Sequence, residues 1–166
     1  GLVNGTLADV QQNKRANAVL TDDIVINKNV LKDDYSLNGD GSQFREWTSI
    51  DSYSGVFDGA GHYISGLYFN NSNANFGGFF IGMYGTVKNL GIIDSYFYAS
   101  HDKRETGIGA ICAVTGAGCV ITDCYVQANV STPRGCAGGF VGYGQMSNRR
   151  VIEITNCYFI GTVNGS

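Results

Sequence analysis

Four short segments of the chain repeat in register. They are Ile64-Ser65-Gly66-Leu67-Tyr68, Val87-Lys88-Asn89-Leu90-Gly91, Ile121-Thr122-Asp123-Cys124-Tyr125 and Ile154-Thr155-Asn156-Cys157-Tyr158. Their first residues, 64, 87, 121 and 154, lie 23, 34 and 33 residues apart. Self-similarity at a period of roughly 20–50 residues marks solenoids, propellers and arrays. Strand alternation then sorts the side chains. Ile64, Val87, Ile121 and Ile154 are expected to point inward, as are Leu67, Leu90, Cys124 and Cys157, followed by Phe69, Ile92, Val126 and Phe159. Tyr68, Gly91, Tyr125 and Tyr158 are expected to point outward. Gly66, Asn89, Asp123 and Asn156 read as a structural corner, since Gly, Asn and Asp are the residues that tolerate a left-handed backbone. A second recurring element is glycine-rich: Gly77-Gly78-Phe79-Phe80-Ile81-Gly82, Gly107-Ile108-Gly109-Ala110-Ile111 and Gly138-Gly139-Phe140-Val141-Gly142. It reads as the short strands of another face.

Composition narrows the architecture. The 24 glycines come with a single proline, which excludes collagen and polyproline and suits many tight corners. Ten Tyr and nine Phe favour strands. No Asn-Gly or Asp-Gly hairpin joins two alternating runs inside each repeat, so propeller blades fit poorly. The expectation is an all-β parallel β-helix, a solenoid whose repeats stack at about 4.8 Å. Residues 1–166 read as one such domain, with residues 47–164 forming its rungs. Thr6 and Asp9 suit the first turn of a helix over about residues 6–15. That helix would cap the open end of the solenoid. Residues 31–46 are polar and look like an excursion from the first rung.

Several function classes fall away. The net charge is −3, and no run of Lys or Arg exceeds two residues, so no nucleic-acid partner is expected. No stretch reaches the roughly 18–20 apolar residues that span a bilayer, so no membrane insertion is expected in this segment. The chain opens at Gly1 without an initiator Met, and it is expected to be a piece of a larger protein. The five cysteines, Cys112, Cys119, Cys124, Cys136 and Cys157, lack a C-x-x-C pair. They read as small buried apolar residues rather than metal ligands, and neither a metal nor a cofactor is expected.

The residues resemble a known family. Phe57-Asp58-Gly59-Ala60-Gly61-His62-Tyr63-Ile64-Ser65-Gly66-Leu67 looks like a segment of bacterial β-helix surface proteins. Gly78-Phe79-Phe80-Ile81-Gly82 with Thr86-Val87-Lys88-Asn89-Leu90 resembles the repeat called the GLUG motif, and the segments at 121–125 and 154–158 resemble its I-x-N-C-Y variant. Ala18-Val19-Leu20-Thr21-Asp22-Asp23-Ile24 is similar to the entry strand of such domains. The resemblance departs at Trp47-Thr48-Ser49-Ile50 and at Cys112. Such repeats occur in large secreted or wall-anchored bacterial proteins and in the non-catalytic N-terminal part of IgA-specific metallopeptidases. The resemblance implies a right-handed β-helix and an extracellular or cell-surface location in bacteria.

Chemistry is sparse by comparison. Sugar-chain hydrolysis needs two carboxylates about 5–9.5 Å apart. Asp22-Asp23 and Asp33-Asp34 are chain neighbours, which a strand would point to opposite faces. Asp58 and Asp123 read as turn residues. His62 lacks a nucleophile or an orienting acid at any telling spacing. No catalytic residue is therefore assigned. The outward Tyr68, Tyr125 and Tyr158 are the binding candidates, because exposed aromatic rings stack on sugars or pack on a partner. The reading is a non-catalytic extracellular spacer or adhesin whose partner is a glycan or a host or cell-surface protein. Its alternative is a carbohydrate-active β-helix enzyme, a polysaccharide lyase or glycoside hydrolase.

Overall fold

The computed structural model describes residues 13–100, 107–116, 118–144 and 151–166. Among them there are strands, turns and bends but no α-helix. Of the helix expected over 6–15, residues 6–12 lie outside the described residues. Residues 13–15 do not continue a helix: they form a turn closed by the Ala16 N–H donating to Asn13 O at 3.3 Å. The segment that follows this turn is instead tied through its carbonyls to residues 53–54. Lys14 O accepts from the Ser54 N–H at 2.7 Å, and Ala16 O from the Tyr53 hydroxyl.

Among the described residues every pairing between strands is parallel, and successive repeats add strands to each sheet in chain order. The first sheet runs Ala18–Val19, Val56–Asp58, Thr86–Lys88, Val120–Thr122, Glu153–Thr155. The second runs Ile24–Val25, Tyr63–Ser65, Gly91–Ala99, Tyr125–Ser131, Tyr158–Asn164, with Tyr68–Asn71 paired along the later half of Gly91–Ala99. A third stacks Phe76–Gly77, Gly107–Gly109 and Cys136–Gly138. A fourth stacks Phe80–Met83, Cys112–Thr115 and Val141–Gly144. The repeating ladder thus begins at Ala18, earlier than the expected boundary at 47.

The register differs from the sequence alignment at one place. Val87, Ile121 and Ile154 share a ladder as expected, but their partner in the preceding repeat is Phe57, not Ile64. Ile64 instead pairs with Ile92, which continues to Val126 and Phe159. The cause is local. Asp58 pairs with Lys88 and Tyr63 with Gly91, so the turn through Gly59, Ala60, Gly61 and His62 is two residues longer than the one through Asn89 and Leu90.

Side chains facing into the stack form one core. Val87, Leu90, Ile92, Phe97, Ile108, Ile111, Ile121 and Val126 are fully buried. Aromatic rings fill the side under the fourth sheet: Phe80 stacks on Tyr53 at 5.1 Å and meets Phe79 edge-on at 4.6 Å. Burial of this kind contributes about 25 cal/mol per Å² of apolar surface. The last repeat is less covered, because nothing described stacks beyond it. Ile154, the counterpart of the fully buried Ile121, is 44% exposed. The segment 27–46, which leads into and includes the excursion, is tied down by polar contacts. The Asp94 carboxylate accepts from the Val30 N–H at 3.1 Å and the Leu31 N–H at 2.8 Å, and the Asn27 amide donates to Arg45 O and Gly66 O.

Candidate functional site

The corner residues aim the strands that follow them. Asn89, Asp123 and Asn156 have φ of 51°, 53° and 51°, and they carry the chain from the first sheet into the second. Gly66, φ 75°, also turns the chain, but at a different corner. Its N–H donates to Ile93 O, which sets it level with Asp94, φ 49°. In the next repeat this second corner is gone: the pairing shifts between Val126 and Ala128, leaving one residue fewer there than around Asp94.

The corner side chains bond from one repeat to the next. The Asn89 Nδ2 donates to Asp58 Oδ1 at 3.0 Å, and the Asn156 Nδ2 donates to Asp123 Oδ1 at 3.1 Å. Each acid thus accepts from the amide one repeat later. The Asn89 amide, the Ala60 N–H and Lys88 together hold the Asp58 carboxyl down at about 2. Asp58 and Asp123 are accounted for as structural residues by these bonds.

The expected strip of outward tyrosines is corrected in two respects. Tyr68 does not face solvent: it is 7% exposed. Phe44 of the excursion packs on its ring at 5.4 Å, Tyr96 stacks on it at 5.9 Å, and Gly41 sits against its hydroxyl. It pairs with Tyr96, so it stands on a different ladder from Tyr125 and Tyr158. Gly91 leaves no open gap either, because the Tyr125 ring lies directly over it. The ladder that does form runs Tyr63, Gly91, Tyr125, Tyr158. Tyr125 and Tyr158 stack at 5.6 Å with 12° between their planes, and Tyr158 is 57% exposed. Burial first, then Tyr158, Asp23 and Tyr63, raises the Tyr125 phenol above its ordinary value.

A cluster absent from the sequence expectations borders this ladder. Asp22, Asp23 and His62 bring a ligand atom each to within 4.8 Å of one another. Asp23 Oδ1 lies 3.1 Å from His62 Nδ1 and accepts from the Tyr63 N–H at 3.1 Å. Chain neighbours were expected to diverge, but the backbone bends at Thr21 and Asp22, and the Asp23 N–H donates to Asp22 Oδ1. The pairing of Ile24 with Ile64 then sets His62 beside them. The only available signal was that pairing, which the alignment of 64 with 87 concealed. The result is a surface of two carboxylates, an imidazole and aromatic rings. Hydrogen-bond acceptors beside flat apolar faces suit hydroxyl-rich ligands.

The cysteines divide by burial. Cys112, Cys119 and Cys124 are buried free thiols, Cys157 is half-buried and Cys136 is exposed. Burial pushes Cys119 and Cys124 up to about 12 and Cys112 well above the ordinary thiol range.

Comparison with known proteins agrees with the repeat pattern. Residues 134–164 match the family model described as the GLUG motif. In the structure this stretch covers Cys136–Gly138, Val141–Gly144, the corner at Asn156 and the final strands of the first two sheets. The match is to the motif and extends to no metallopeptidase. No curated protein and no solved structure matches the chain.

Proposed function

We propose that the chain is a non-catalytic extracellular module of a bacterial surface protein, built as a right-handed parallel β-helix and serving as a spacer or adhesin. The parallel sheets, each extended by one strand per repeat, and the GLUG match support that architecture. The surface we assign to a glycan or a cell-surface protein is the ladder of Tyr125 and Tyr158 with Asp22, Asp23 and His62 at its side. One observation carries this: two tyrosine rings stacked nearly parallel, the outer one more than half exposed, on a rigid ladder. Such rings lose little conformational entropy when they are covered. A glycan array probed with the intact chain and with Tyr158→Ala tests the glycan arm, and capture of surface proteins tests the other. Binding lost in Tyr158→Ala supports the reading. Unchanged binding removes the ladder from it.

A second reading, a carbohydrate-active enzyme, is favoured by the gathering of Asp22, Asp23 and His62. It predicts new reducing ends, or unsaturated products in the case of a lyase, from bacterial or host polysaccharides, lost in Asp23→Asn. Absence of product across a broad panel leaves the binding module.

A further inference from the structure

A cleft of about 310 Å³ opens where residues 46–49 meet the segments around 69–76, and neither Tyr125 nor Tyr158 lines it. Its apolar lining comes from Trp47, Phe69 and Phe76, and its polar lining includes Glu46, Thr48 and Asn71. The indole is a fixed platform. Its Nε1–H donates to Gly78 O at 3.2 Å, and one face stacks on Phe79 at 5.4 Å and 17°. Much of the polar lining keeps hydrogen-bonding capacity. Glu46 and Thr48 have no side-chain hydrogen bond or ion pair among the described residues. The Asn71 Oδ1 accepts from the Asn73 N–H at 2.9 Å, which leaves its two Nδ2 hydrogens to donate. Glu46 and Thr48 are exposed and Asn71 is half-buried, so an acceptor, a hydroxyl and an amide donor are presented together at the mouth of the cleft.

These features select a ligand. The volume lies at the small end of ligand sites, which run about 300–1,000 Å³. A purely apolar ligand would strip water from Glu46 without compensation. An anionic ligand would meet its carboxylate. A neutral sugar ring meets both demands, with a C–H face for the half-exposed rings of Trp47 and Phe76 and hydroxyls that donate to Glu46 and accept from Asn71. We propose that this cleft holds one neutral pyranose residue, independently of the tyrosine ladder.

Trp47 is the single tryptophan of the chain, so its fluorescence reports on this cleft. The probes are N-acetylglucosamine, methyl α-glucoside, methyl α-mannoside and methyl β-galactoside, each titrated to about 50 mM, with tetramethylammonium chloride as a cationic control. At least one sugar is expected to give a saturable change with a Kd of about 1–10 mM. Glu46→Ala and Asn71→Ala should each weaken it about tenfold or more with unchanged melting temperatures, and Tyr158→Ala should leave it as it was. Three results overturn the proposal: no saturation by any sugar, equal affinity in both cleft variants, or saturation by tetramethylammonium alone. Loss of array binding in Tyr158→Ala with an intact fluorescence titration, or the reverse, separates this cleft from the ladder.

Discussion

Asn89 does two jobs that no other residue type does together. It accepts a left-handed backbone at φ 51°, and its amide bonds the Asp58 carboxylate of the repeat before. Replacement by Gly removes only the bond, because glycine takes this φ freely. Replacement by Val removes the bond and adds about 1–2 kcal/mol of left-handed strain. Urea midpoints should therefore fall in the order parent, Asn89→Gly, Asn89→Val; equal midpoints for the two variants would mean that the backbone here is not strained by Val. Asp58 carries a pH signature of the same contact. Its folded pKa of about 2 lies below the roughly 3.9 of an unfolded Asp. The group's stabilisation is thus complete above about pH 4 and lost as the pH falls toward about 2. Asp58→Asn should flatten the decline in stability across that window, and an unchanged acid limb would remove Asp58 from it.

At the scale of the element, the strands of the second sheet depend on one small residue. Gly91 is covered by the Tyr125 ring, and a Cβ there would collide with that ring's outer atoms. Gly91→Ala must swing Tyr125 out of its stack on Tyr158, at a cost of about 1–3 kcal/mol. Once Tyr125 is Ala, the same change should cost little, so the double mutant should be clearly less than additive in denaturant melts. Additive costs would place the strain in the backbone instead. The strands themselves were readable from alternation and from the corner residues. What alternation could not count was the two extra residues in the turn from Gly59 to His62. A slip in the count there assigned Ile64 to the ladder of Val87 and hid the partnership of Tyr63 with Gly91.

At the scale of the whole molecule, the core decides both stability and thiol chemistry. Phe80 is fully buried and touches Tyr53, Phe57 and Phe79. Phe80→Ala should cost about 3–5 kcal/mol, read as a large drop in the urea midpoint. The three buried thiols should be silent to a thiol reagent at pH 8 in the native protein, since only the thiolate reacts and burial holds them protonated. Cys136 should react first and Cys157 more slowly, while denaturation should release all five. Fast native reaction of three or more thiols would mean that the stack opens on that timescale.

The residues themselves determined the strand alternation, the inward placement of Val87, Leu90, Ile92, Ile121, Cys124 and Val126, and the left-handed corners. These are local properties, set by side-chain period and by which residues tolerate positive φ. Tertiary structure alone decided which outward residues stay outward. Tyr68 and Tyr158 occupy the same place in their segments, yet one is covered by Phe44 from an excursion some 24 residues earlier and the other is exposed. It also decided that Asp22 and Asp23 meet His62, and that Glu46, Trp47 and Asn71 line one cleft. Such meetings depend on pairing registers and loop paths between distant segments. A period read along one chain carries no information about how a loop of variable length returns across the surface.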